Sequence, residues 1–130
     1  MTDANPHKTP LPAGAEVHLI RYNGETTQTD IKKYQSLISS LLYIQIGTRP
    51  DISFAVSRLA QYAANPSPQH LRLAQHILSY LSGTVDMHIQ YDGANRDGLF
   101  GYSDSSMGDQ ADDCHSTSGY VFFLANGAIS

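Results

Sequence analysis

The sequence predicts an α+β fold: a small three-helix bundle followed by an antiparallel β-meander. Three observations lead there. Apolar residues recur at three- and four-residue steps from about residue 29 to 82, which places them along one face of a helix. Corners carrying Gly and Pro interrupt that pattern twice. Beyond Gly83 the period falls to two, the spacing of half-buried strands. A chain of 130 residues holds one ordinary domain or two partial ones.

Residues 1–28 come before the helical pattern. Pro6, Pro10, Pro12, Gly14 and Gly24 among polar residues read as a linker or extended arm. Within it, Val17, Leu19 and Ile20 suit a short strand or docking on a neighbour. The first helix shows Ile31, Tyr34, Leu37, Ile38, Leu41 and Leu42 on one face, with Thr29 as its cap and Asp30 in the first turn. The run Tyr43-Ile44-Gln45-Ile46 is apolar on more than one face, which predicts a deeply buried C-terminal end.

Gly47-Thr48-Arg49-Pro50-Asp51-Ile52-Ser53 then forms a helix-helix corner. Gly47 suits termination and Pro50 a first helical turn. Thr48 and Asp51 have the spacing of a capping box. The second helix has the stripe Ile52, Ala55, Val56, Leu59, Ala60 and Ala63, with Ser57, Arg58 and Gln61 outside, and stops near Asn65-Pro66. Ser67-Pro68 supplies a cap and first residue for the third helix. Its stripe is Leu71, Ala74, Ile77, Leu78 and Leu81, and Gly83 ends it.

Four strands are predicted next. Met87, Ile89 and Tyr91 alternate with polar residues, and residues 99–102 and 118–124 are rich in aromatic and branched side chains. Asn126-Gly127 signals a hairpin leading into residues 128–130. A meander ending on a strand just begun leaves an unpaired edge, so further chain is expected beyond it.

The net charge of −4 conceals an asymmetry. Lys8, Arg21, Lys32, Lys33, Arg49, Arg58 and Arg72 fall before residue 83, whereas Asp86, Asp92, Asp97, Asp104, Asp109, Asp112 and Asp113 accompany only Arg96 after it. The first part suits phosphate and the second a divalent cation, although solvated surface charge is the commoner meaning of such counts. The lone Cys114 excludes an internal disulfide and suits a reducing compartment. No apolar run approaches the roughly 20 residues of a membrane span. Met1-Thr2-Asp3 opens no signal peptide, so a soluble intracellular protein is expected.

Asp104, read as lying just past a strand, is the strongest chemical candidate. With Asp109, Asp112 and Asp113 it suits a metal-ion site of the kind that two-metal phosphodiester chemistry uses. By spacing alone these residues read more commonly as turn aspartates that cap backbone amides. Cys114 beside His115 falls far short of a four-ligand soft-metal site. His7, His18, His70, His76 and His88 show no ligand spacing, and no Gly-rich phosphate loop or nucleophile elbow is present.

Several words of the sequence go further than these patterns. Tyr34-Gln35-Ser36-Leu37-Ile38, Gly47-Thr48-Arg49-Pro50-Asp51-Ile52, Gly101-Tyr102-Ser103-Asp104 and Ser116-Thr117-Ser118-Gly119-Tyr120-Val121 occur in one order. That series closely resembles the pol polyprotein of copia-type LTR retrotransposons, over about residues 9–130. The resemblance implies that residues 29–85 are the thumb-like or connecting bundle at the end of the reverse transcriptase region. It implies that residues 86–130 are the N-terminal strands of an incomplete RNase H-like domain. In that family the aspartate of Gly-Tyr-Ser-Asp is the first metal-binding carboxylate of RNase H, and Asp104 matches it.

The implied activities of the full-length protein are RNA-directed DNA synthesis and cleavage of RNA–DNA hybrids, with Mg2+ or Mn2+ as cofactor. The polymerase palm would lie upstream, and the remaining RNase H carboxylates downstream of Ser130. One carboxylate of about four assembles no metal pair, so neither activity nor a bound metal is expected of this segment alone. Ser39 stands where the family has Gly, Met107 in a segment that normally has Trp, and His115 where a basic residue commonly stands. These departures suit a decayed or truncated copy. The implied partners are an RNA–DNA hybrid or template-primer and the rest of the polyprotein, with no membrane. The implied location is the cytoplasm, in virus-like particles, or the nucleus. Lys32, Lys33, Arg49, Arg58 and Arg72 are the candidate phosphate contacts, and each also reads as an ordinary snorkelling surface cation. The alternative is a non-catalytic module, derived from a retroelement, that binds nucleic acid or protein.

Overall fold

Apolar periodicity builds three helices: α1 (Gln28–Gly47), α2 (Ser53–Ala60) and α3 (Pro68–Gly83). The structure is a computed structural model and describes residues 7–108 and 115–130. The chain divides into two units, Met1–Asp86 and Met87–Ser130. All three helices belong to the first.

α1 starts at Thr27 rather than Thr29. The Thr27 hydroxyl oxygen accepts the Asp30 amide at 3.2 Å and donates to the Asp30 carboxylate at 2.7 Å, satisfying one of the open amides of the first turn. Tyr34, Ile38 and Leu41 are buried as expected, but the C-terminal end is not. Tyr43 and Ile46 are 83% and 81% exposed. At 3.6 residues per turn they point away from Leu41, and Gln45 continues the inward face. Gln45 is half-buried and donates from Nε2 to the Ser53 hydroxyl at 3.0 Å. The apolar appearance of the run concealed which of its residues faces inward.

At the corner, Gly47 is the last residue of α1 rather than a left-handed terminator, and positive φ among the described glycines occurs at Gly14 and Gly108. Pro50 opens a single 3-10 turn, Pro50–Ile52, as its missing amide hydrogen favours. Thr48 and Asp51 form no capping box, because the Asp51 carboxylate is taken by Arg49. α2 buries Ala55, Val56 and Leu59 as predicted, and also Arg58, which the sequence had placed outside. Tighter three-residue hydrogen bonds carry the chain on from Ala60 to Asn65.

Ser67 caps α3 in a full capping box. His70 takes the place usual for Glu or Gln, with its Nδ1 accepting the Ser67 amide at 3.0 Å. The buried face of α3 is His70, Leu73, Ala74, Ile77 and Tyr80, rotated from the predicted stripe, and Leu71, Leu78 and Leu81 pack at its border. The arm does not run free. A 3-10 turn, Ala15–His18, buries Ala15, and Leu19 joins the core. The Tyr62 hydroxyl donates to the Leu19 carbonyl at 2.6 Å, and Asn65 Nδ2 donates to the carbonyls of Tyr22 and Gly24, both at 3.0 Å.

The second unit holds three antiparallel strands in the order of the chain: β1 (Phe100–Ser106), β2 (Thr117–Leu124) and β3 (Gly127–Ala128). β1 runs four residues beyond its predicted end and includes Asp104. Residues 87–91 form no strand. Instead the Tyr91 hydroxyl donates to the Ala128 carbonyl at 2.6 Å, and the Asp92 amide to the Ala125 carbonyl at 2.7 Å. Ile89 and Tyr91 lie against Gly127, where an added Cβ would meet the Tyr91 ring at 2.5 Å. The turn is displaced by one residue from Asn-Gly: Ala125 and Asn126 take positive φ (51° and 65°), and Gly127 already pairs with Leu124. Two positive φ values are what a two-residue hairpin loop needs to match strand twist.

All buried hydrophobic side chains among the described residues lie in the first unit. We therefore expect Leu41→Ala to lower the unfolding free energy of the helical unit by about 2–5 kcal/mol. Tyr43→Ser and Ile46→Ser should stay within about 0.5 kcal/mol of the parent. Urea unfolding followed by helical circular dichroism measures both. A large loss at Ile46 would contradict the inward face assigned to α1.

Candidate functional site

The carboxylate singled out by the sequence, Asp104, stands on an exposed face of β1. It pairs in register with Gly119, and its Oδ1 accepts the Ser105 amide at 2.9 Å. Alternation along the strands puts it on the face shared by Phe100, Tyr102 and Phe123. Those rings stack or meet edge-on, with centroids 5.3–6.1 Å apart. Asp109, Asp112, Asp113 and Cys114 lie outside the described residues. Among the described residues no three His, Cys, Asp or Glu side chains converge as a metal site requires. One carboxylate does not hold a pair of divalent cations, so what is described does not fit a two-metal centre on its own.

The five candidate cations separate into two kinds. Lys32 and Lys33 are exposed on α1 and share an open surface concavity of about 670 Å3 with Thr29, Ser36 and Ser40. Arg72 is exposed on α3, its Nη1 3.5 Å from the Gln69 side-chain oxygen. Arg49 and Arg58 are each only 8% exposed. Buried Arg58 leaves Nε and Nη1 without a hydrogen-bond partner among the described residues.

Four of the five N–H donors of Arg49 are engaged inside the protein. Its Nε and Nη2 bond the two Asp51 oxygens at 3.0 and 2.9 Å, a bidentate fork. Nη1 donates to the Thr84 carbonyl at 3.0 Å and Nη2 to the Thr84 hydroxyl at 2.6 Å. The Tyr80 hydroxyl donates to Asp51 Oδ2 at 2.6 Å, and the guanidinium carbon sits 5.6 Å from the Tyr80 ring centroid. Asp51 is held below the ordinary carboxylate range, first by the Arg49 hydrogen bonds, with burial opposing. Tyr80 is pushed up, chiefly by its hydrogen bond to Asp51. This cluster ties the α1–α2 corner to the end of α3 and leaves the Arg49 fork nothing to offer a phosphate in this conformation.

Over its full 130 residues the chain is 38% identical to the retrovirus-related Pol polyprotein from transposon RE1 of Arabidopsis thaliana. It belongs to the Pol polyproteins of copia-type transposons. A second Arabidopsis Pol polyprotein, from transposon RE2, is 35% identical over the same length. The chain spans 9% of each of these proteins. It is also 35% identical to the secreted RxLR effector protein 161 of Plasmopara viticola over 97 residues, 75% of this chain and 68% of that one. No family model and no solved structure matches.

Within this Pol segment, sequence patterns missed two groups. Tyr80, 29 residues from Asp51, and Thr84, 35 residues from Arg49, complete the cluster, and only the Arg49-Pro50-Asp51 word hinted at it. Tyr22, Glu25, Asp30 and Pro66 line a separate cavity, and the acidic residues flanking the start of α1 were its one sign.

Two outcomes are expected of the cluster. Arg49→Lys keeps a positive charge but loses the fork, and should cost about 1–3 kcal/mol of unfolding free energy in a urea titration. Because the Asp51 pKa is lowered by folding, its contribution is present above the unfolded value of about 4 and disappears as pH falls through the folded value. The parent should therefore lose stability below about pH 4 more steeply than Asp51→Asn.

Proposed function

We propose that this chain is the stretch of a copia-type Pol polyprotein that joins the end of the reverse transcriptase region to the start of its RNase H domain. In this reading residues 29–85 are the thumb-like or connecting bundle, and residues 86–130 are the opening strands of an RNase H-like fold. Asp104 is the first of the RNase H carboxylates. The observation that carries the reading is the ordered set of sequence words shared with that family, one of which places Asp104 on an exposed strand. A helical unit followed by antiparallel strands is consistent with it.

When bound in the complete enzyme, a Mg2+ or Mn2+ pair would polarise the scissile phosphate and activate water. Asp104 would contribute one carboxylate to hold it. The described residues gather no three ligating side chains at one place, and in this reading neither hybrid cleavage nor polymerisation is expected of the segment alone. Lys32 and Lys33 are the side chains best placed to meet a nucleic-acid backbone, and Arg72 is a third exposed candidate. Arg49 and Arg58 serve packing instead.

A second reading, a non-catalytic interaction module, is favoured by one observation. The chain covers most of a relative whose name is that of a secreted effector rather than a polyprotein. Both readings meet the same assay. Titrated with an RNA–DNA hybrid at low salt, the chain should bind through Lys32 and Lys33. Removing both by alanine should weaken binding similarly for every hybrid sequence and lower the salt slope by about 2. Magnesium-dependent cleavage should be absent. Cleavage that vanished in Asp104→Asn would contradict the inactivity of the isolated segment, and no binding at low salt would overturn the nucleic-acid role.

A further inference from the structure

Where the docked arm meets the starts of α1 and α3 lies a cavity of about 230 Å3. It is lined by buried Tyr34 and Pro66, half-buried Tyr22 and Leu71, and the exposed carboxylates of Glu25 and Asp30. Hydrogen bonds across the chain fix its shape. The Thr26 hydroxyl donates to the Pro66 carbonyl at 2.8 Å, Asn65 holds the backbone at Tyr22 and Gly24, and the Tyr34 hydroxyl donates to the Leu59 carbonyl at 2.7 Å.

Two helix starts favour an anion in this cavity, and two carboxylates favour a cation. Magnitudes decide between them. A helix N-terminus is equivalent to about half a positive charge, so two starts offset only about one of the two carboxylates. The caps also use amides that an anion would need: the Asp30 amide bonds Thr27 and the His70 amide bonds Ser67. Neither carboxylate has an ion pair among the described residues, and Glu25 has no hydrogen bond there either. The volume falls below the roughly 300–1,000 Å3 of small-molecule sites, which suits one side chain rather than a cofactor.

We propose that this cavity receives an arginine side chain from a partner polypeptide. The alkyl stem lies against Tyr34, Pro66 and Leu71, the guanidinium meets Glu25 and Asp30, and its planar face suits the Tyr22 ring. The inference is independent of the Pol reading, because it concerns a pocket in the helical unit and uses neither Asp104 nor Lys32 and Lys33.

An amide-resolved NMR titration of the full 130-residue chain tests it, with N-acetyl-arginine amide as probe and N-acetyl-glutamine amide as its neutral counterpart. The arginine probe should shift the amides of residues 22–30 and 66–71, and the glutamine probe should leave them unmoved. Glu25→Gln should weaken binding about threefold, the worth of one exposed ion pair. Equal shifts from both probes, no shifts at those residues, or binding unchanged in Glu25→Gln would overturn the proposal. The comparison of probes on the unaltered protein holds whether or not the variant folds.

Discussion

The helical unit depends on a guanidinium held inside it. Arg49 sits at the corner between α1 and α2, where the amides of Thr48 and Arg49 both turn back to the Ile44 carbonyl. Such a corner fixes the direction of the chain but does nothing by itself to bring the third helix home. The Arg49 fork on Asp51, and its two bonds to Thr84, supply that connection. A charge this buried is tolerable only when its hydrogen bonds are complete, because losing one partner leaves the other uncompensated. The corner and the end of α3 are therefore fixed together.

That arrangement gives the word Gly47 to Ser53 an architectural meaning. In a Pol polyprotein, an arginine in a short motif beside a basic helix invites a reading as a phosphate contact. The geometry of the fork turns it inward onto Asp51, while Lys32, Lys33 and Arg72 stay exposed. Arg58 follows the same logic less completely, since it is buried with two of its nitrogens unpartnered among the described residues. The second unit differs in kind. Its sheet has aromatic pairs on the Asp104 face yet buries no apolar side chain among the described residues, so Asp104 is presented by strand pairing rather than enclosed by a core.

Much of this was legible in the sequence where the signal is local. Tyr34, Ile38 and Leu41, or Ala55, Val56 and Leu59, announce their face by spacing, and Ser67-Pro68 announces a helix start. The ordered words from Tyr34 to Val121 pointed to the family directly. Less legible were features set by tertiary partners. Gln45 looked polar and faced inward because Ser53 waits there to bond it, whereas Tyr43 and Ile46 looked apolar and faced water. His70 completes a capping box that spacing alone would assign to Glu or Gln. Residues 87–91 alternate like a strand, but the Tyr91 ring and the Ile89 side chain lie against Gly127, which has no side chain to keep them off β3. Asp104 read as a strand end because aspartate is uncommon inside strands, and β1 nevertheless continues through it to Ser106.

The central claim is that the corner and α3 are locked through Asp51, and a double-mutant cycle between Asp51→Asn and Tyr80→Phe tests it most directly. These residues lie 29 positions apart, and the Tyr80 hydroxyl donates to Asp51 Oδ2 at 2.6 Å. Measured by urea unfolding of the helical unit, the two substitutions should show a coupling energy of about 1.5 kcal/mol or more, as for a hydrogen bond to a charged group. Effects that add within about 0.3 kcal/mol would contradict the lock.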